Sequence, residues 1–282
     1  MTGATPPAEL EDRAHPLTEP PLRLLATVTL SETLTLFKAM TPPDLQTMTL
    51  TTPREGVALL TLNRPDRLNA ISIQLLNEFG AVLHWLQEAS DARVLILTGA
   101  GAGFCSGTDL KEARERHGGQ RMGVEQGMAT QQKLARLILG LRRIPQPVIA
   151  AVNGVAAGGG FCFTLAADIR IAAQSARFVA SFINIGLSAG EIGSTYLLPR
   201  LVGVSRAADI LYTGREVGAA EAERIGLVSR MVEDGQVVSA ALEVAEVMLA
   251  KTPFGLRMTK EVLDINIDAP SLESALQLEN RT

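Results

Sequence analysis

The sequence has very little cysteine: Cys105 and Cys162 are the only two in 282 residues, and neither has a disulfide-framework or zinc-ligand spacing. That excludes the small disulfide-stapled folds and points to a reducing, cytoplasmic compartment. Positive charge is not in excess, with 26 Lys and Arg against 30 Asp and Glu and a formal net charge of −4. Basic residues do not cluster and aromatics do not interleave with them, so no nucleic-acid partner is expected. Long apolar runs are also missing: each is broken by charge or glycine before it reaches bilayer length, so no membrane partner is expected. The N-terminus lacks the basic, apolar, small-residue order of a secretory signal. Of the three histidines, His15 lies in a proline-rich tail, His84 on an amphipathic helix and His117 in a charged stretch. None marks a metal site, and no metal is expected.

What the chain does have is a 46% hydrophobic composition, enough for one large core. Residues 1–48 carry Pro6, Pro7, Pro16, Pro20, Pro21, Pro42 and Pro43 without apolar periodicity, and are expected as a tail outside the core. An alternative is that the natural start is Met40 or Met48. From Val57 the pattern changes. Apolar runs at 57–62, 94–97, 147–152 and 168–172 read as strands, each beside a helical pattern. Ser72 precedes apolar residues at 75, 76, 79, 82, 83 and 86, the spacing of a capped amphipathic helix. The result is an α/β architecture, with a core over 49–200 and a helical region over 201–282. In the latter, helical patterns fall at 204–212, 219–226, 236–251 and 253–266.

Two segments carry chemistry: Gly99 to Leu110 and Asn153 to Cys162, each a glycine-rich loop between a strand and a helix. Glycine allows close approach of a ligand, and a helix start presents unsatisfied N–H donors. Two such loops aimed at one point can hold a developing oxyanion. Either alone would be an ordinary tight connection. Neither has the spacing of a dinucleotide-binding fingerprint or the lysine of a phosphate loop.

Five stretches give the pair its meaning: Asn63-Arg-Pro-Asp-Arg-Leu-Asn-Ala70; Phe104-Cys-Ser-Gly-Thr-Asp-Leu110; Pro147-Val-Ile-Ala-Ala-Val-Asn-Gly154 with Gly158-Gly-Gly160; Leu198-Pro-Arg-Leu-Val-Gly203; and Thr213-Gly-Arg with Ala222 to Val228. Together they resemble the enoyl-CoA hydratase/isomerase (crotonase) family over about Thr49 to Glu261. The resemblance implies a spiral of ββα units related to the ClpP/crotonase fold, with a helical C-terminal trimerisation region. It also implies a homotrimer or a dimer of trimers. The implied substrate is an acyl-CoA thioester, with no cofactor beyond its coenzyme A moiety. By position, the thioester oxygen would accept from the backbone N–H groups of Ser106 and Gly159.

Around these, the resemblance places substrate contacts at Arg64, Arg67, Leu68, Ala70, Cys105, Gly107, Thr108, Asp109, Leu110, Gly158, Cys162 and Phe182. Arg64 and Arg67 are candidates for the coenzyme A phosphates, with a solvated turn as the equal alternative. Asp109 reads first as a helix cap. Hydratases of the family use two glutamates, and the matching positions here hold Cys162 and Phe182. The carboxylate that remains is Glu191, on a stretch where dienoyl-CoA isomerases and chlorobenzoyl-CoA dehalogenases carry a catalytic aspartate, once the alignment is shifted by one residue. It is the candidate general base, the alternative being a first-turn glutamate stabilised by a helix dipole. The reaction expected is hydration or isomerisation of an enoyl thioester. A catalytically impaired acyl-CoA-binding protein and an acyl-CoA hydrolase or decarboxylase are the alternatives. Family members generally continue through a further helical segment beyond the stretch resembling Leu272 to Arg281.

Overall fold

The computed structural model describes residues 41–116, 118 and 123–281. Most of the expected tail, residues 1–40, lies outside the described residues, as does His117. In chain order the elements are β1 (Met48–Arg54), β2 (Val57–Leu62), α1 (Ile73–Glu88), β3 (Val94–Gly99), β4 (Gly103–Cys105), α2 (Leu110–Arg116) and α3 (Val124–Arg143). Then follow β5 (Val148–Val152), β6 (Val155–Ala157), α4 (Gly159–Ala166), β7 (Ile169–Ala173), β8 (Arg177–Val179), α5 (Ser194–Val202) and α6 (Val204–Thr213). The chain closes with β9 (Glu216–Gly218), α7 (Ala219–Arg224), β10 (Arg230–Val232), α8 (Val237–Leu249), α9 (Pro253–Asn266) and α10 (Leu272–Glu279).

Six strands form one sheet in the order β1-β2-β3-β5-β7-β10, antiparallel at β1-β2 and parallel elsewhere. Four short strands form a second sheet in the order β4-β6-β8-β9. Each turn of the spiral thus lays one long strand in the first sheet and, after a brief connection, one short strand in the second. The pairs β3/β4, β5/β6 and β7/β8 are the repeats of this ββα spiral.

The central strands β2, β3 and β5 are almost wholly apolar because both sheet faces are covered there. Alternation assigns Leu95 and Leu97 to the face shared with α1, α3 and α4, and Val94 and Ile96 to the face under α8. The latter packs through Val237, Ala240, Ala241 and Ala245. The Ser72 hydroxyl accepts from the Leu75 N–H at 3.0 Å, capping α1 as its sequence predicts.

Two boundaries differ from the sequence reading. Met48, the last residue of the expected tail, opens β1 and is buried in the core, and Thr47 beside it donates through both N–H and hydroxyl to the Glu78 carboxylate. The expected change at residue 200 falls inside α5, and the described residues all belong to one compact unit, Ala39–Thr282. Helix α9 is anchored by two side chains: the buried Lys260 amine donates to the carbonyls of Leu141 and Gln146 and pairs with Asp168 at 3.0 Å, and Asp264 pairs with Arg142 of α3. Burial holds that amine below its ordinary pKa, outweighing the pull of Asp168. No helix among the described residues is long and apolar enough to cross a membrane.

Candidate active site

The glycine-rich loops meet at the ends of β4 and β6. Gly107, at φ +89, has no room for a side chain: a Cβ there would lie 2.9 Å from the Ala157 carbonyl oxygen and 3.3 Å from the Gly159 nitrogen. At Gly160 a Cβ would fall 2.1 Å from the Cys105 carbonyl oxygen, so the first turn of α4 sits directly against β4. This contact brings the start of α4 beside residues 106–108.

Hydrogen bonding then selects which N–H groups remain free. Ile71 pairs with this loop in a one-residue parallel bridge: its N–H donates to Gly107 and its carbonyl accepts from Asp109. In such a bridge the intervening residue, Thr108, turns its own N–H the other way, and that N–H donates to no described acceptor. Gly159, at the first position of α4, likewise has a free N–H, whereas Gly158 donates to Val179 at 3.0 Å. The assignment from the sequence is therefore corrected at one residue. Ser106 donates its N–H to the Leu68 carbonyl at 3.0 Å and has none to offer, and the free donor is two residues on, at Thr108.

Thr108 and Gly159 both line a cavity of about 530 Å³, together with Ser106, Gly107, Leu110, Gly158, Phe182 and Glu191 among the residues expected from sequence. Leu134, Ile185, Leu187 and Ile192 extend its apolar wall. Glu191 is the one ionisable side chain among its described lining residues. Burial pushes its carboxyl above the ordinary value of 4.5, and the carboxylate has no ion-pair or hydrogen-bond partner among the described residues. Glu191 precedes α5 rather than occupying its first turn. Its carbonyl accepts from Ser194, whose buried hydroxyl donates back to Ala189, and the intervening Ile192 and Gly193 have φ values of 38 and 88°.

Other residues named from the sequence lie elsewhere. Cys105 and Cys162 are fully buried and do not line the cavity. Desolvation raises both thiols, Cys105 to about 12 and Cys162 further, with the nearby Glu191 charge adding to the latter. The native protein is expected to resist iodoacetamide at mildly alkaline pH and to take up two equivalents on unfolding, as counted by intact mass.

Arg64 is also committed: its guanidinium donates to Asp109 at 2.9 Å and to the Ala70 carbonyl. The Asp109 side chain is 5% exposed and its other oxygen accepts from the Glu112 N–H, capping α2. Burial pushes the Asp109 carboxyl up, but the capping N–H and the Arg64 guanidinium outweigh it and hold it below the ordinary carboxylate range. Ala70 is buried, Leu68 and Arg67 are exposed on the same turn, and none of the three lines the cavity, although the Leu68 and Arg67 carbonyls accept from Ser106, which does. The Arg67 guanidinium has no ion-pair partner among the described residues.

Asn69 was not singled out by sequence, yet it fastens this turn to the first loop. It adopts φ +55, a conformation asparagine tolerates, and is fully buried. Its amide accepts from the Arg64 N–H at 2.8 Å and donates to the carbonyls of Ala100 and Gly103. Asn153 grips the same loop from the other side through Gly99, Gly101 and Gly103. Asn69→Ala is expected to lower the unfolding free energy by about 2–4 kcal/mol, because it strains the backbone and leaves buried groups unpaired. Urea titration beside Asn69→Gly, which relieves only the backbone, separates the two parts.

The ββα spiral with two glycine-rich loops converging on one cavity is the crotonase fold. The structure superposes on that of a probable enoyl-CoA hydratase/isomerase from Mycobacterium abscessus with a TM-score of 0.76 and 42% identity, covering 83% of this chain and 88% of the other. On a monofunctional enoyl-CoA isomerase from M. smegmatis the TM-score is 0.70 with 44% identity, covering 82% of this chain and 98% of the other. The probable enoyl-CoA hydratase echA12 of Mycobacterium leprae is 46% identical over 231 residues, 81% of this chain and 78% of that protein. The enoyl-CoA hydratase/isomerase family model matches residues 52–282, and the chain belongs to that family. It is an acyl-CoA-processing enzyme of the enoyl-CoA hydratase/isomerase type.

Proposed function

We propose that the chain isomerises 3-enoyl-CoA thioesters to 2-enoyl-CoA thioesters, with Glu191 as the sole proton carrier and the N–H groups of Thr108 and Gly159 as the oxyanion hole. The reading rests on one observation: among the described residues a single ionisable side chain lines the cavity that holds both free N–H groups. Glu191 takes the proton from the carbon next to the thioester, and the electron pair moves onto the thioester oxygen. Two preorganised donors and the field at the start of α4 stabilise that oxygen as it becomes negative. The same carboxylic acid then returns the proton to the far end of the three-carbon unit, shifting the double bond without adding water.

Adding water across the double bond takes the glutamate pair of the family's hydratases. We read that pair as replaced, with Cys162 buried off the cavity and Phe182 a hydrophobic wall. The M. smegmatis relative, an enoyl-CoA isomerase, is consistent with this reading. Arg67 is the candidate partner for the coenzyme A phosphates, and the mechanism takes no cofactor beyond that moiety. We further assign a cytoplasmic homotrimer or dimer of trimers. The support for the assembly is the exposure of Phe254, Leu263 and Ile265 along α9, of Ile267 just after it, and of Leu272 and Leu276 on α10.

The experiment is product analysis with purified protein and paired 3-enoyl- and 2-enoyl-CoA substrates. Interconversion of the two with little 3-hydroxyacyl-CoA is expected. Rapid hydration overturns the isomerase assignment, and tight binding without turnover makes the chain an acyl-CoA-binding protein.

A further inference from the structure

Four large apolar side chains on three separate elements crowd the mouth of the cavity in the open. Leu110 at the start of α2 is 57% exposed, Met128 on α3 is 59% exposed, and Ile185 and Leu187 on the turn before Glu191 are 53% and 49% exposed. Scattered exposed leucines need no explanation, but a cluster around one opening does. The cluster continues inward without a break into buried Leu134, Phe182 and Ile192. No charged group among the described lining residues accompanies Glu191.

We infer that this enzyme is built for acyl groups with an uncharged, apolar tail long enough to leave the inner cavity and lie across that rim. The inference rests on the proposed site only in placing the thioester carbon beside Thr108 and Gly159. From there, the described wall carries no cationic side chain to pair with a terminal carboxylate; its polar groups besides Glu191 are the hydroxyls of Ser106, Thr108, Thr130 and Ser181 and the Gln131 amide. A tail that crosses the rim covers the side chains that are otherwise left in water. Transfer of a methylene from water to such a surface gives about fourfold in affinity, so selectivity should grow with length rather than stop at the smallest substrate.

The test is kcat/KM for straight-chain 3-enoyl-CoA thioesters from pentenoyl to dodecenoyl, alongside calorimetric affinities of the matching saturated acyl-CoAs. Both are expected to climb by about threefold to fourfold per methylene until the rim is passed. A tail ending in a carboxylate should lose that gain. Leu187→Asp, at an exposed site where folding is not at risk, should cut the dodecenoyl to pentenoyl ratio by about tenfold or more by setting a charge against the tail. Turnover that is flat with length, or a ratio indifferent to Leu187→Asp, overturns the inference. Affinity that climbs without turnover of any substrate overturns the isomerase reading and leaves the rim assignment standing.

Discussion

Replacing Glu191 with glutamine is expected to lower kcat by about two to four orders of magnitude while acyl-CoA affinity changes by no more than a few-fold. The size follows from the range of general acid–base catalysis, and the selectivity from the geometry. The glutamine keeps the shape of the side chain at the cavity wall and leaves the Thr108 and Gly159 N–H groups untouched. It removes only the atom that accepts a proton.

The pH profile supplies a second signature. Burial raises the Glu191 carboxyl above 4.5, and the reaction requires it ionised, so the acid limb of kcat/KM should fall above 4.5 and vanish in the variant. Stability moves in the opposite sense. Between 4.5 and the raised folded value, the native chain still holds this proton while the unfolded chain has released it, so stability declines as pH rises through that window. The variant lacks that cost and should be at least as stable at neutral pH, which separates lost chemistry from lost folding. A variant that retains most of its activity, or a limb at the ordinary carboxylate value, removes Glu191 from the mechanism.

Gly107→Ala should reduce kcat/KM by about a hundredfold or more. A methyl group here collides with backbone on the facing loop, at the Ala157 carbonyl and the Gly159 nitrogen, where no flexible side chain can yield. The loops must move apart, and the two N–H groups can no longer reach one oxygen, a loss of the size seen when an oxyanion donor is removed. The left-handed backbone at φ +89 adds about 1–2 kcal/mol of strain. Gly235→Ala is the matched control: it has φ +81 but no neighbour within 4 Å of its added carbon. It should lose only the stability that the backbone strain accounts for and keep full turnover. Equal activity losses in the two would mean that the effect is destabilisation, not geometry.

Much of the fold is legible because its main strands are buried on both faces and so appear as unbroken apolar runs. The helices show their spacing, and Ser72 shows its cap. The second sheet is not legible. Strands of three residues such as β4, β6 and β8 are too short to display alternation, and they exist because each long strand turns onto them. At the site, Glu191 and Gly159 are marked by the family resemblance, and both line the cavity. Thr108 is marked only as a substrate contact, not as the free donor: which N–H in the loop stays free is decided by its pairing with Ile71, far back in the chain. The partner of Arg64 is hidden for a similar reason, since Asp109, 45 residues away, takes its guanidinium. Asn69 carries a faint signal as an asparagine in a turn, but its partners 31 and 34 residues on belong to the tertiary structure alone.

Ile192 is a β-branched residue held at φ 38, 8% exposed, immediately after Glu191. A residue of this kind is unfavourable in the left-handed region by about 1–3 kcal/mol, and the rest of the fold sustains it. Directed evolution for heat resistance would therefore find relief at this position by exchanging isoleucine for a residue content with that backbone. The exchange would loosen the wall behind the carboxylate, so selection for thermostability alone would drift toward a sturdier and slower enzyme.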